Sequence, residues 1–367
     1  MEGVTDLAFR GVIAKAGRPD LFFTEFTNVS SYASEKGRWN ALERLRISKT
    51  DSPIIAQIWG KDPAHFSELA HTLESLGFSG VDLNFGCPDK NVNRTGGGAA
   101  MIKTPDLAVK CYRNTKKSTN LPVSIKTRLG WSKIEEYKDW LSILLNEHPA
   151  ALTVHLRTKK EMSKVPAHYE LIPEIIKLRN EISPETKLII NGDIKDKTHA
   201  LDLYQKYPKV DGFMIGRGVF QNPYCFTDHT PTREELLGLL NYHLDLYEGL
   251  NSVSEGVRPE FEKPVLEGLK LGHESEKSVL EGVRLGQESE MPVLERVRLG
   301  LAARSALSKT GIQTQSQPLT TKSYEPLKHY FKIYINNFPG ASDIRAKLME
   351  THSLSEAREI LKNLDFD

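Results

Sequence analysis

The sequence predicts an α/β chain: a (β/α)8 TIM barrel whose first strand is missing, followed by a C-terminal all-helical domain. Three observations carry this. Seven short β-rich runs alternate with amphipathic helical stretches between residues 21 and 215. The late runs each end in a polar residue, which is where barrel enzymes place their chemistry. From residue 232 onward the pattern is helical only.

In chain order, GVTDLAFRGVIAKAG (3–17) reads as the loop and helix that follow a first strand. The absent strand is therefore expected before Met1, and the chain is expected to begin inside the first βα unit. Strands are predicted at 21–25, 53–59, 80–84, 122–127, 151–155, 187–191 and 211–215, with helices at 63–77, 105–117, 134–147, 170–181 and 196–207. Strands that alternate with helices pair in parallel through right-handed crossovers. Seven such units point to a barrel more than to an open Rossmann sheet, and closure wants eight strands.

Beyond the barrel, TREELLGLLNYHLDLYEGL (232–250) predicts a long helix, and SYEPLKHYFKIYINNF, SDIRAKLME and SLSEAREILKNL predict three more. Between them KPVLEGLKLGHESE (263–276), KSVLEGVRLGQESE (277–290) and MPVLERVRLG (291–300) repeat with a 14-residue period. Copies this few and short make no solenoid, and their glycines weaken any helix. Residues 251–320 are read as a disordered or loosely helical insertion, dispensable for catalysis. The division is thus a catalytic barrel at 1–231 and a helical domain at 232–367.

Composition limits the function classes. At 39% hydrophobic and 26% charged residues the 367-residue chain is of the soluble globular type. No run of 18 apolar residues offers a membrane span, and the N-terminus has no secretory pattern. Cys87, Cys111 and Cys225 are too widely spaced for a disulfide framework or a zinc site, so no metal is expected and the cytoplasm is the default compartment. The net charge of +1 says little about partners; residues 251–300 carry −3, leaving +4 elsewhere. A nucleic-acid enzyme of this charge needs its basic residues gathered on one face.

The densest stretch is VDLNFGCPDKNVNRTGGGAAMIK (81–103), which runs off the carboxyl end of a predicted strand. Cys87 sits there between Gly86 and Pro88 on a loop, unlike a cysteine on an apolar helix face. Gly96, Gly97 and Gly98 permit close backbone approach or a sharp turn, but lack dinucleotide-fingerprint spacing. Further polar residues close the other strands: Gln57; Lys126 and Arg128; His155 and Arg157; Asn191, Gly192 and Asp193; Gly216 and Arg217. Any one of them is ordinary as a core or turn residue. Together they face one mouth, and Gly-rich loops after the last two strands are the usual barrel phosphate site. Residue physics reaches a barrel enzyme that holds a phosphorylated cofactor beside a loop cysteine.

In this order, MEGVTD, AQIWG, DLNFGCP, GGGAAM, IKTRLGW, H-x-RT, NGD and MIGRG resemble the tRNA-dihydrouridine synthase family, closely over residues 1–225 and more loosely from 323. The resemblance implies an FMN-dependent oxidoreductase that uses NADPH (or NADH) to reduce the C5=C6 bond of a uridine in tRNA, with the helical domain binding tRNA. It implies that Cys87 is the general acid, and that Met1, Glu2, Gln57, Lys126, His155, Asn191, Gly192, Asp193, Gly216 and Arg217 contact FMN. It places Asn84 against the RNA. A monomer is expected. MEGV and GGGA lean toward the type acting at position 16. The sequence departs from the family in lacking the first strand with the Pro before MEGV, in having Leu156 where H-G-R-T is usual, and in the segment 251–320. Two alternatives stay open: an FMN barrel acting on a free pyrimidine, similar to dihydroorotate dehydrogenase, which the helical domain disfavours, and a flavin-less tRNA-binding protein.

Overall fold

The structure, a computed structural model, describes residues 3–256, 324–336 and 338–363. Met1, Glu2 and the repeats at 263–300 lie outside the described residues. The strands are β1 (Phe22–Phe23), β2 (Thr27–Asn28), β3 (Ile54–Trp59), β4 (Gly80–Phe85), β5 (Val123–Arg128), β6 (Ala151–His155), β7 (Lys187–Asn191) and β8 (Gly212–Met214). They form one sheet in the order β1-β3-β4-β5-β6-β7-β8, with β2 also on β3 and every pairing parallel. The sheet is curled and TIM-barrel-like, and helices cover its outer face.

β1 and β2 are two pieces of one strand position. Phe23 pairs with Ile55 and Thr27 with Ile58, so one strand carries an extra residue, as in a β-bulge. Thr24 fills the gap: its N–H donates to Ile55 O at 3.0 Å and its Oγ1 accepts the Gln57 N–H at 3.0 Å. Seven strand positions thus stand where the alternation predicts seven, within one residue at each end except the first, which runs three residues past the predicted 25. Among the described residues no strand pairs the outer edges of β1 and β8.

The helices between the strands are α1 (Leu7–Gly17), α2 (Val29–Ala33), α3 (Glu35–Arg44), α4 (Pro63–Ser75), α5 (Lys90–Arg94), α6 (Pro105–Lys117), α7 (Tyr137–Leu145), α8 (Ile172–Ile182) and α9 (Lys197–Lys206). α4 shows why they form. Asp62 caps it by accepting the Ala64 N–H at 2.9 Å, and Pro63 takes the first turn, where no N–H is needed. Phe66, Leu69, Ala70 and Leu73 are fully buried, at the spacing of one helix face. The core lies between such faces and the outward-pointing strand residues Ile54, Val81, Leu83, Val123, Ile125, Leu152 and Val154, all fully or almost fully buried.

After β8 come α10 (Arg233–Gly256), α11 (Phe331–Tyr334), α12 (Ala341–Glu350) and α13 (Leu354–Lys362). α10 runs six residues beyond the predicted 250. The tail helices share one compact unit with the barrel. Tyr334 Oη lies 2.9 Å from His243 Nδ1 on α10, and Tyr330 Oη donates to Val4 O at 2.7 Å. No helix among the described residues is long and apolar enough to cross a membrane.

Candidate active site

β4 alternates strictly. Val81, Leu83 and Phe85 face the helices, while Asp82 and Asn84 point inward among Gln57 of β3 and Ser124 of β5. The hydrogen bonds of this inner layer have only one possible direction. The backbone N–H groups of Gly86 and Cys87 can only donate, and both reach Asn84 Oδ1, at 3.1 and 2.9 Å. Asn84 must then present Nδ2 to Gln57 Oε1 (3.0 Å), and Gln57 must present Nε2 to Asp82 Oδ2 (2.8 Å). Ser124 Oγ donates to the other Asp82 oxygen at 2.7 Å. A fully buried carboxylate therefore sets the orientation of two amides, and through them the loop that carries Cys87. Burial pushes the Asp82 carboxyl up to about 6, against the pull of its two donors and Lys126.

The loop is held from the other side as well. Cys87 O accepts the Ala99 N–H at 3.0 Å and Asn93 Nδ2 at 2.9 Å, and Arg128 Nε donates to Gly86 O at 2.8 Å. Gly98 has φ +59°, and a Cβ there would lie 2.9 Å from Cys87 O and 2.7 Å from Val92 Cγ1. Gly98→Ala is expected to lower stability by about 1–2 kcal/mol through this strain, read as a lower urea midpoint at unchanged slope. Wild-type stability in the variant would show that the loop yields freely. Cys87 itself is half-buried, and burial raises its thiol pKa against a backbone hydrogen bond from Asp89. It lines a cleft of about 690 Å³ together with Phe26, Asn28, Arg44, Trp59 and Asp89.

Beyond Asp82 the mouth is cationic. Lys126 pairs in register with Asn84, and Arg128 with His155. Burial and Arg128 bring the Lys126 ammonium down to about 8, with Asp82 as its counter-charge, and burial with Arg157 brings Arg128 to about 10. His155 is held well below its ordinary range, first by burial and then by Arg128, Lys126, Arg157 and Arg217. It is therefore neutral at pH 7. Its Nε2 lies 3.1 Å from Arg157 Nη1, and a guanidinium cannot accept, so Nε2 is the acceptor and Nδ1 carries the proton.

Asp193, at φ +53°, is gripped by Arg157, by Arg217 Nη2 at 3.1 Å and by the Ala167 N–H at 3.1 Å. Its carboxylate is spent behind Arg217, whose side chain stays 59% exposed. Gly192 is left-handed at φ +123°, with His155 Cδ2 3.5 Å from where a Cβ would stand. Asn191 Nδ2 donates to Met214 O at 2.8 Å, and the space around Gly216 is open. Leu156 is fully buried and donates its N–H to Asn191 O at 3.0 Å.

The structure thus brings Asn84, Cys87, Lys126, His155, Asn191, Gly192, Asp193, Gly216 and Arg217 to one end of the sheet. Gln57 is there too, but both ends of its amide are engaged within the protein. The sequence reading passes over Asp82, Ser124 and Thr24, which fix the layer beneath. The signal for Asp82 was present as a carboxylate in the middle of a strand whose alternate residues Val81, Leu83 and Phe85 are apolar.

The family model described as Dihydrouridine synthase (Dus) matches residues 1–238. The chain belongs to the dihydrouridine synthase family. Relatives include a "Probable tRNA-dihydrouridine synthase" from Staphylococcus aureus (strain COL), 38% identical over all of this chain and 91% of its own length. Another, "Probable tRNA-dihydrouridine synthase 2" from Bacillus subtilis (strain 168), is 38% identical over all of this chain and 92% of its own. Among solved structures, histamine dehydrogenase from Rhizobium sp. 4-9 matches with a TM-score of 0.42 and 11% identity, over 67% of this chain and 47% of that one.

A dihydrouridine synthase is an oxidoreductase, and membership implies a flavin. The residues at the mouth fit one. Lys126, Arg128, Arg157 and Arg217 gather there, and among the described residues Asp193 is the one carboxylate salt-bridged to any of them, so an anionic ligand suits the mouth. The His155 Nδ1–H and the Lys126 ammonium are donors suited to an electron-rich heterocycle edge, and no hydrogen bond within the described residues takes up the Lys126 ammonium.

Proposed function

We propose that this chain is a tRNA-dihydrouridine synthase that reduces the C5=C6 bond of a uridine in tRNA, with FMN as its flavin and NADPH (or NADH) as reductant. The observation that carries the reading is the thiol: Cys87 is seated at the carboxyl end of β4 by the one-directional chain Asp82–Gln57–Asn84, within electrostatic reach of Lys126 and Arg128. Hydride is the chemistry FMN supplies when bound. The chain's own residues do the rest. Arg217 with Gly192 and Gly216 would receive the phosphate, Lys126 and His155 would orient the ring system, and Met1 and Glu2, outside the described residues, would be further contacts.

A uracil ring is unreachable while stacked, so the target nucleotide leaves the tRNA fold to enter the cleft beside Cys87. Asn84 keeps one N–H for it, since its carbonyl and its other N–H are committed. Negative charge developing toward C5 and O4 of the uracil on addition at C6 would be stabilised by the Lys126 ammonium, and Cys87 would donate its proton to C5. Raised by burial, the thiol holds that proton at neutral pH. Residues 1–231 form the FMN-bearing barrel, 232–367 the tRNA-binding part, and the enzyme works as a monomer in the cytoplasm.

The test is dihydrouridine formation on an unmodified tRNA transcript by protein supplied with FMN and NADPH, with free uridine and orotate as comparison substrates. Reduction of the transcript alone supports the reading; reduction of a free pyrimidine in preference to it overturns the reading. Separately, Arg217→Ala is expected to weaken FMN retention about tenfold, by loss of a charge-assisted contact. Unchanged flavin occupancy at limiting FMN would count against the phosphate lying there.

A further inference from the structure

A second group of residues on the same end of the sheet has no part in the chemistry above. Trp131, in the loop after β5, is flanked by two ammonium groups: Lys103 Nζ lies 4.7 Å and Lys159 Nζ 4.5 Å from its ring centroid. The three come from three different loops. Lys103 ends the 3-10 turn Gly98–Lys103 that packs on the Cys87 carbonyl, and Lys159 follows β6. The loops are tied together, since Lys159 N donates to Gly130 O at 2.8 Å and Lys160 N to Trp131 O at 2.9 Å.

Neither ammonium makes a salt bridge among the described residues. Glu136 and Asp139 line the same pocket as Lys103 and Trp131, and the Glu136 oxygens are engaged by the N–H groups of Trp131 and Lys133 and by Ser132 Oγ. Lys103 is exposed, and Trp131 and Lys159 are half-buried. An indole face holds an ammonium in place but does not neutralise it. Two like charges held on one ring, neither drawn into a salt bridge, on the rim beside a thiol-bearing cleft, form a docking point for an anion carried by the substrate.

We propose that Lys103, Trp131 and Lys159 form a ledge that binds the phosphate backbone of the tRNA next to the nucleotide entering the cleft. This rests on the functional reading above. Two separate points along an open rim suit successive phosphates of a strand better than one small anion. Phosphate contacts of this kind position the RNA without reading its sequence.

The test uses the full chain loaded with FMN and compares wild type with the Lys103→Ala/Lys159→Ala double variant. Equilibrium binding of an unmodified tRNA transcript is titrated at several salt concentrations, so the result does not depend on turnover. The expected outcome is affinity lower by about tenfold and a log–log salt slope smaller by about 1–2. In turnover the KM for tRNA rises while kcat stays within about twofold, and tRNA-independent NADPH oxidation is unchanged. Equal affinity and slope in the two proteins overturn the ledge. A raised KM for NADPH with unchanged tRNA binding also overturns it, by assigning the lysines to the reductant. If wild type binds the transcript through these lysines but reduces no uridine, the functional reading fails and the ledge stands.

Discussion

Cys87→Ala is expected to retain its flavin and still oxidise NADPH, while forming dihydrouridine about 10²–10⁴-fold more slowly, the usual contribution of a positioned general acid. The substitution is selective because the loop is held by the backbone of residue 87 and not by its sulfur: Asn84 Oδ1 binds the Cys87 N–H and Ala99 binds its carbonyl. The pH dependence follows in sign. Burial raises the thiol pKa, so the donor proton is present throughout the neutral range and is lost only as pH rises past the ordinary thiol value, about 8.5. Lys126, at about 8, gives an alkaline fall common to both proteins, so wild-type dihydrouridine formation should drop more steeply on the alkaline side than the residual rate of the alanine variant, which lacks only the thiol's contribution. Cys111 and Cys225 are fully buried, their thiols pushed up to about 12, and Cys111→Ala or Cys225→Ala should leave turnover near normal.

Asp82→Leu is the second large effect. Leucine keeps the branched shape, with bulkier methyl groups in place of the oxygens, but accepts nothing, so Gln57 Nε2 loses its partner in a buried layer. An orphaned buried donor costs about 1–3 kcal/mol, and Gln57 becomes free to turn, which releases Asn84 and the Cys87 loop. A displacement near 1 Å of the proton donor is enough for about 10²-fold in rate. Dihydrouridine formation should fall by that order, with FMN content largely kept. Asp82→Asn separates orientation from charge, because its oxygen can still accept from Gln57 while its amide donates to Ser124 Oγ. It should restore most of the loop, yet remove the counter-charge of Lys126 and bring that ammonium below its present value of about 8. Stability gives a further reading. The native carboxyl is raised to about 6, above its unfolded value, so its ionisation opposes folding progressively as pH rises from about 4 to 6. Across that window the Asn variant should gain on wild type, with no further change to neutrality. Equal turnover in Asp82→Leu and wild type would show that the carboxylate is only structural.

The strands were legible because their outward residues are apolar and their inward ones polar, as in GVDLNF at 80–85. β1 and β2 were harder, since the bulge at residues 24–26 breaks the period. α2 and α3 escaped because Glu35–Arg44 is a polar stretch that buries only Ala41, so it carries no apolar stripe. At the mouth, Lys126, His155 and Arg217 could be read from their positions at strand ends. Their partners could not. Whether Asp193 meets a ligand or restrains Arg157 and Arg217 depends on a left-handed backbone that spacing does not reveal. The same holds for Lys103, Trp131 and Lys159, which lie up to 56 residues apart in sequence and meet only because adjacent βα loops share one rim.

The most direct measurement is a single turnover: enzyme reduced beforehand with NADPH, freed of excess reductant and mixed with an unmodified tRNA transcript, with flavin reoxidation and dihydrouridine followed together. Wild type should reoxidise its flavin in step with one dihydrouridine per active site, and Cys87→Ala should do both about 10²–10⁴-fold more slowly. Equal rates in the two proteins, or reoxidation without dihydrouridine in wild type, would contradict the assignment of Cys87 as the proton donor to a tRNA uridine.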